Sequence, residues 1–222
     1  MGVVKMSGLV HQLVHQARRT FSREKTLPEE MEKLKKIMSQ ITPKDFNLDS
    51  TAIDKPWDYP PFVTDAPAAF MNVYECSEFN VAIFMLKANK EMPLHDHPEM
   101  HGLMKILSGS MCVTSYNRPE KRGSNSYIAR FFRSILATPA TEPCHFTPEE
   151  GNIHQIKAQD SHVAFLDILA PPYAPEEGRD CTYYFKDTKQ SNQDENLIWL
   201  ISGQNPSWFS CIPQPYNGPK VD

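Results

Sequence analysis

Glycine is scarce in this sequence: there are 9 in 222 residues, against 19 prolines. Many residues that fix φ and lack an N–H favour strand ends and turns over long helices. No run approaches about 18 consecutive apolar residues, so no membrane-spanning helix is expected. There is no basic excess either. The 23 bases and 27 acids leave a net charge of −4, which speaks against a nucleic-acid partner. CxxC is absent, and the five cysteines (Cys76, Cys112, Cys144, Cys181 and Cys211) are odd in number and widely spaced. That is a poor framework for disulfides or a thiolate zinc site. No uninterrupted signal core opens the chain, because Lys5, His11 and Gln12 break its apolar residues. A reducing compartment, the cytoplasm, is therefore expected. Repeats and low-complexity runs are also missing. The length suits one domain with a decorated terminus, able to hide roughly 70% of its unfolded surface. A monomer is expected.

What is present divides into a helical start, residues 1–45, and a strand-rich body, residues 46–222. Leu9, Val10, Leu13, Val14 and Ala17 recur at helical spacing and give one apolar stripe. Lys5, Arg18, Arg19 and Arg23 all precede the first acid, Glu24. Two readings fit this segment: a helix docked on the body, or a basic amphipathic mitochondrial presequence. Pro28 opens a second helix, with Glu29 and Glu30 early and lysines later, as the helix dipole favours. Leu34, Ile37, Met38 and Ile41 would form its buried face. Pro56, Pro60, Pro61 and Pro67 mark an extended linker. Strands are predicted at 71–77, 80–88, 102–116, 126–137, 142–147, 153–158, 162–170 and 180–187, with turns at Ser108-Gly109 and Glu150-Gly151-Asn152. This spacing predicts a mainly β sandwich or small barrel. In the proline-rich tail, Trp208, Phe209 and Tyr216 are expected to bury against it.

Eight histidines are present, three of them within Pro93-Leu94-His95-Asp96-His97-Pro98-Glu99-Met100-His101. On a strand, His95 and His97 would aim two imidazoles at one spot while Asp96 points away. Downstream, Pro148-Glu149-Glu150-Gly151-Asn152-Ile153-His154 offers a turn and then a histidine at the start of another strand. Together these segments resemble the two cupin motifs, G(x)5HxH(x)3–4E(x)6G and G(x)5PxG(x)2H(x)3N. The departures are specific. His101 stands where the common glutamate ligand would sit, Asn89 replaces the leading glycine, Ala158 replaces the closing asparagine, and one residue is added between Pro148 and Gly151. Without the glutamate, the resemblance implies a ligand set of His95, His97 and His154. Three neutral imidazoles leave the full +2 charge on a metal. His101 is read as a pocket residue or as a fourth ligand. His11 and His15 read as solvated or docking contacts. His145 is unable to share a metal with Cys144, since neighbours on a strand face opposite sides.

Two further features stand out. Asp167 interrupts the apolar run Val163–Ala170, where a carboxylate is costly unless it is partnered. It either hydrogen-bonds to loop amides or faces a pocket near a substrate ammonium. Cys181 and Tyr183 share one strand face, as a side-by-side pair or as ordinary core.

Taken in order, the segments PLHDHPEMHG, GNIHQI, FLDILAPPY and GRDCTYY, with the terminal GPK, resemble the cysteamine (2-aminoethanethiol) dioxygenase family, whose wider group includes the plant cysteine oxidases. The resemblance runs from the LVHQLVHQARRTF helix to the tail. It implies a cupin barrel, a double-stranded β-helix, with N-terminal helices. It implies Fe(II) held by His95, His97 and His154, and oxidation of a thiol to a sulfinate by O2. Cysteamine, oxidised to hypotaurine, and proteins or peptides with an N-terminal cysteine would be the substrates. Oxidation of the latter would link O2 supply to the arginine N-degron route. Asp167 matches the family's pocket aspartate, and Cys181 and Tyr183 match a pair that crosslinks in some members. The segment between Tyr116 and Ala137 is short beside the long insertion of some animal relatives. Three alternatives remain open from the residues. A 2-oxoglutarate oxygenase would want HxD where this chain has HxH. A catalytic zinc site is also built from three histidines. A cupin can also serve as a non-catalytic binding module.

Overall fold

The computed structural model describes residues 8–22, 26–49, 53, 66–190 and 194–221. Arg23, Glu24, Pro56, Pro60 and Pro61, and with them most of the expected linker, lie outside the described residues. The two helices form where the apolar spacing places them, α1 at Leu9–Phe21 and α2 at Pro28–Gln40. Val10, Leu13, Val14 and Ala17 are buried on α1, and Leu34 and Met38 on α2. Between them lies a polar clasp. Glu30 is buried, accepts a 2.7 Å hydrogen bond from Gln16 Nε2, and pairs with Lys33 Nζ at 2.8 Å. The Lys33 bond, with Gln16 beside it, holds the Glu30 carboxyl down to about 2. No described helix is long and apolar enough to cross a membrane.

Among the described residues thirteen strands follow: β1 (Ala68–Glu75), β2 (Asn80–Leu86), β3 (Glu91–His95), β4 (His101–Ser108), β5 (Met111–Tyr116), β6 (Glu120–Lys121), β7 (Ser126–Ala137), β8 (Cys144–Phe146), β9 (Ile153–Ala158), β10 (Val163–Ala170), β11 (Tyr183–Lys186), β12 (Leu197–Gly203) and β13 (Cys211–Pro213). One sheet has the order β13-β1-β2-β10-β4-β8. The other has the order β12-β11-β3-β9-β5-β7-β6, and β12 also pairs with β7. From β2 to β5, and again from β7 to β11, successive strands alternate between the sheets. This is a double-stranded β-helix, the cupin barrel, with two helices laid on one sheet.

The central strand β10 explains the arrangement. Every one of its residues is buried, so it lacks the alternation of a half-solvated strand. Ala164, Leu166, Ile168 and Ala170 face the helices and share a core with Leu13, Leu34 and Met38. Val163, Phe165 and Leu169 face the barrel interior with Met104, Ile156 and Phe209. Asp167 belongs by parity to the interior set. A third, smaller core joins Leu94, Tyr116, Tyr184 and Leu200 beneath the β12 side.

Asn89, standing at the motif's glycine position, has φ of 61°, a left-handed conformation that asparagine adopts more readily than most residues. At the Ser108-Gly109 turn, Gly109 has φ of +77°, and a Cβ there would lie 2.3 Å from the His162 carbonyl. Several expectations are corrected. Strands β3, β6, β12 and β13 fall outside those predicted from pattern: β3 contains Pro93, β6 is two exposed residues, β12 is an apolar run at 197–201 set between polar segments, and β13 is three residues among tail prolines. The expected strands at 142–147 and 180–187 shorten to Cys144–Phe146 and Tyr183–Lys186. Phe209 buries, but Trp208 is 53% exposed, because the tail meets the barrel through parallel pairing of β13 with β1 and turns Trp208 outward.

Candidate metal centre

His95 ends β3, and His154 opposes it across the β3–β9 pairing. His97 lies beyond the strand, in the bend after it, so strand parity alone does not place it. A hydrogen-bonded frame does. Asn152 Nδ2 donates to the His97 carbonyl at 2.6 Å, and Asn152 Oδ1 accepts the His97 N–H at 3.3 Å. On the other side, Asp96 turns away as expected and is held. Its Oδ1 accepts from the Thr182 N–H at 2.8 Å, and its Oδ2 from the Tyr184 hydroxyl at 2.9 Å. Burial raises the Asp96 carboxyl above its ordinary range, against the pull of those donors. The bend carrying His97 is thus tied to β9 and to β11.

The three imidazoles converge. A ligating atom from each of His95, His97 and His154 lies within 4.8 Å of the others, and the Nε2 atoms of His97 and His154 are 3.2 Å apart. Protons are arranged to suit. His95 Nδ1 lies 2.8 Å from the Pro93 carbonyl, which only accepts, so Nδ1 donates and Nε2 keeps its lone pair. Tyr173 donates its hydroxyl proton to the Asp96 carbonyl at 2.8 Å. Its oxygen is then free to accept from His97 Nδ1, also at 2.8 Å. His154 Nδ1 is buried near the Gly151 carbonyl without hydrogen-bond geometry. Packing places that ring instead, with the Phe146 ring centred 4.6 Å away. Gly102 makes room for Phe146: a Cβ on it would lie 1.7 Å from that ring. Burial lowers all three histidines below their ordinary range; repulsion from His154 and His95 adds to it at His97, and repulsion from His95 adds to it at His154. They are neutral near pH 7, the form that ligates. Neutral lone pairs crowded together repel unless a cation sits between them, so the donor set fits a divalent metal with imidazole preference.

A cavity of about 190 Å³ opens beside the triad. Asp167, Cys181 and Tyr183 line it with the three histidines, so all six sequence-derived site residues meet in one space. Asp167 has no loop-amide partner for Oδ1, which is buried and without a hydrogen bond. Burial pushes its carboxyl up to about 7, slightly offset by the Ile168 backbone. Ionising it costs on the order of 4 kcal/mol, a liability that a purely structural position would shed. Cys181 touches both Tyr173 and Tyr183, and burial pushes its thiol up to about 12. The motif reading misses Tyr173, Phe209 and Cys211, which also line the cavity. Only the FLDILAPPY segment carried a signal for Tyr173. His101 is corrected: it neither joins the triad nor lines this cavity, and instead contacts His145 on the barrel's outside at 3.3 Å. His11 and His15 are exposed on α1.

A model of the family described as PCO_ADO matches residues 37–221. The chain belongs to the PCO_ADO family. Similar proteins agree. The 2-aminoethanethiol dioxygenase of Mus musculus is 32% identical, covering 97% of each chain. Its Homo sapiens counterpart is 33% identical over 87% of this chain and 82% of that one. Plant cysteine oxidase 1 of Arabidopsis thaliana is 29% identical over 87% of this chain and 72% of that one. In this PCO_ADO chain the histidine triad is the one cluster of three or more metal-type ligands among the described residues.

Two outcomes follow. Tyr173→Phe removes the acceptor that orients His97, and metal affinity is expected to fall about 10–100-fold with the fold kept. Unchanged affinity by chelator competition would show that Tyr173 does not orient the ligand. The second outcome concerns pH. A carboxyl raised in the folded state stabilises fully below the unfolded value of about 3.9 and loses that contribution as pH climbs toward about 7. Metal-free wild type should therefore lose thermal stability relative to Asp167→Asn between those limits. Parallel melting curves would contradict the buried, unpartnered carboxyl.

Proposed function

We propose that this chain is a non-haem iron thiol dioxygenase acting on cysteamine and on the N-terminal cysteine of peptides and proteins. The observation that carries the reading is the cavity itself: three neutral imidazoles share it with a carboxyl whose Oδ1 has no hydrogen-bond partner, and no lysine or arginine is among its described lining residues. Fe(II) held by His95, His97 and His154 would activate O2 and seat the substrate sulfur. In the net reaction a thiolate and O2 become a sulfinate; both S–O bonds form as the O–O bond breaks. Sulfur supplies the electrons, so no external reductant or 2-oxoglutarate is required.

The chain's own residues supply position and environment. Asp167 Oδ1 accepts an N–H from the substrate's amine. With its carboxyl poised near 7, it also takes up the proton an ammonium must lose before its nitrogen can act as a ligand. Cys181 and Tyr183 stay protonated, since burial raises both, and form a weakly polar wall with hydrogen-bond donors. Phe84, Phe165, Leu169 and Phe209 exclude water from the reacting groups. The aminothiol is the common core of cysteamine and an N-terminal cysteine. Free cysteine adds a carboxylate, which would meet Asp167 with no cation to offset it, whereas a peptide presents a neutral amide there. The names of the relatives, 2-aminoethanethiol dioxygenase and plant cysteine oxidase, support oxidation of an aminothiol. Oxidation of a protein's N-terminal cysteine would follow O2 supply and mark that protein for the arginine N-degron route.

Cysteamine and Cys-initiated peptides should turn over well, and free L-cysteine poorly. Asp167→Asn should fold yet oxidise substrate at least about tenfold more slowly. Mass spectrometry of the peptide after aerobic incubation should show two added oxygens on its first residue. No such gain, beside good oxidation of free cysteine, would overturn the specificity. Unchanged turnover in Asp167→Asn would remove that residue from the mechanism.

A further inference from the structure

Outside the barrel, a second pair of histidines has the spacing of a metal centre. His101 begins β4 and His145 lies at the middle of β8, the strand paired with it. Neighbouring residues on β8 divide between the two sides: Cys144 and Phe146 enter the interior core while His145 faces out. Nδ1 of His101 and Nε2 of His145 lie 3.3 Å apart, with the rings stacked at an interplanar angle of 21°. Two zinc–nitrogen bonds of about 2.1 Å at a tetrahedral angle span about 3.4 Å. The interior triad gives an internal comparison, since the Nε2 atoms of His97 and His154 stand 3.2 Å apart.

The pair lines a cavity of about 730 Å³ where the helices meet the barrel. Two carboxylates line the same cavity: Glu32 from α2 and Glu78 from the turn between β1 and β2. Glu32 interacts electrostatically with His145 and is bonded to Lys35 Nζ at 2.8 Å. Burial, with His101 next to it, lowers the His145 imidazole to about 4, so the pair offers lone pairs rather than protons at neutral pH. We propose that His101 and His145 form a second divalent-metal site, of zinc type, completed by a carboxylate from the cavity wall. Of the two, Glu32 is the one that acts electrostatically on His145, where the ammonium of its partner Lys35 at present outweighs it; its capture by the metal would release Lys35 and fasten α2 to the barrel. No motif in the sequence unites these residues, because His101 and His145 are 44 positions apart and meet only through β4–β8 pairing.

The test uses zinc alone on the full chain. In His95→Ala/His97→Ala/His154→Ala, which blocks the interior triad, calorimetric titration should still find one bound equivalent. Adding His145→Ala should abolish it, and Glu32→Gln should weaken it by about tenfold, in the range that a lost metal partner costs. Should the triad variant fail to fold, wild type is expected to bind two equivalents and His145→Ala one. His11→Ala serves as control for the exposed pair on α1 and should change nothing. No zinc in the triad variant, or binding that survives His145→Ala and is lost with His11→Ala, would overturn the proposal.

Discussion

The rest of the site depends on the partners that the outer nitrogens of His95 and His97 find. An imidazole ligates through one nitrogen only if its proton sits on the other. The Pro93 carbonyl holds that proton on His95, and Tyr173 holds it on His97. Tyr173 can do so because its own proton is committed to the Asp96 carbonyl. Asp96 in turn is fixed by Thr182 and Tyr184 at the start of β11, and His97 by Asn152 before β9. The same residues thus set the backbone of the bend and the tautomer of the ring it carries. Asp96, His97, Asn152 and Tyr184 are buried and His95, Tyr173 and Thr182 are half-buried; an unmade hydrogen bond at a buried group costs about 1–3 kcal/mol, so the frame resists distortion.

The barrel turns this local frame into a chemical space. β10 serves two cores at once, with one face closing against the helices and the other forming a cavity wall. That double burial accounts for a strand with no exposed position, and it makes Asp167 conspicuous. A carboxyl at the interior face, raised to about 7 and lacking a partner for Oδ1, is a cost that the fold carries without return in packing. On the proposed reading, an amine-bearing substrate would supply what is missing. On the same reading, the absence of lysine and arginine among the described lining residues would favour a neutral group over a carboxylate next to the aminothiol.

Much of this was legible in the sequence because chemistry-bearing residues sit in short segments. His95, His97, His154, Asp167, Cys181 and Tyr183 are visible from their types and spacings, and the structure gathers them into one cavity. The helical stripes of α1 and α2 were legible for the same reason, since period and burial coincide. What escaped is long-range. Tyr173 reaches His97 across 76 positions, and Asn152 across 55. Neither carries a periodic signature of its own. Strand β13 is three residues beside tail prolines and is held by its pairing with β1, while β12 carries an apolar run at 197–201 that a reading centred on the histidine segments passes over. His101 misled because motif alignment places it at a ligand position, while β4–β8 pairing turns it outward toward His145.

The central claim, that a three-histidine centre in this cavity adds both atoms of O2 to sulfur, is tested most directly by isotope labelling. Chain loaded anaerobically with Fe(II) would be given cysteamine and heavy-oxygen dioxygen, with O2 consumption followed alongside product mass. The account predicts hypotaurine carrying two labelled oxygens, one O2 consumed for each sulfinate, and neither product nor uptake in His154→Ala. A single labelled oxygen, disulfide as the main product, or full activity in His154→Ala would contradict it.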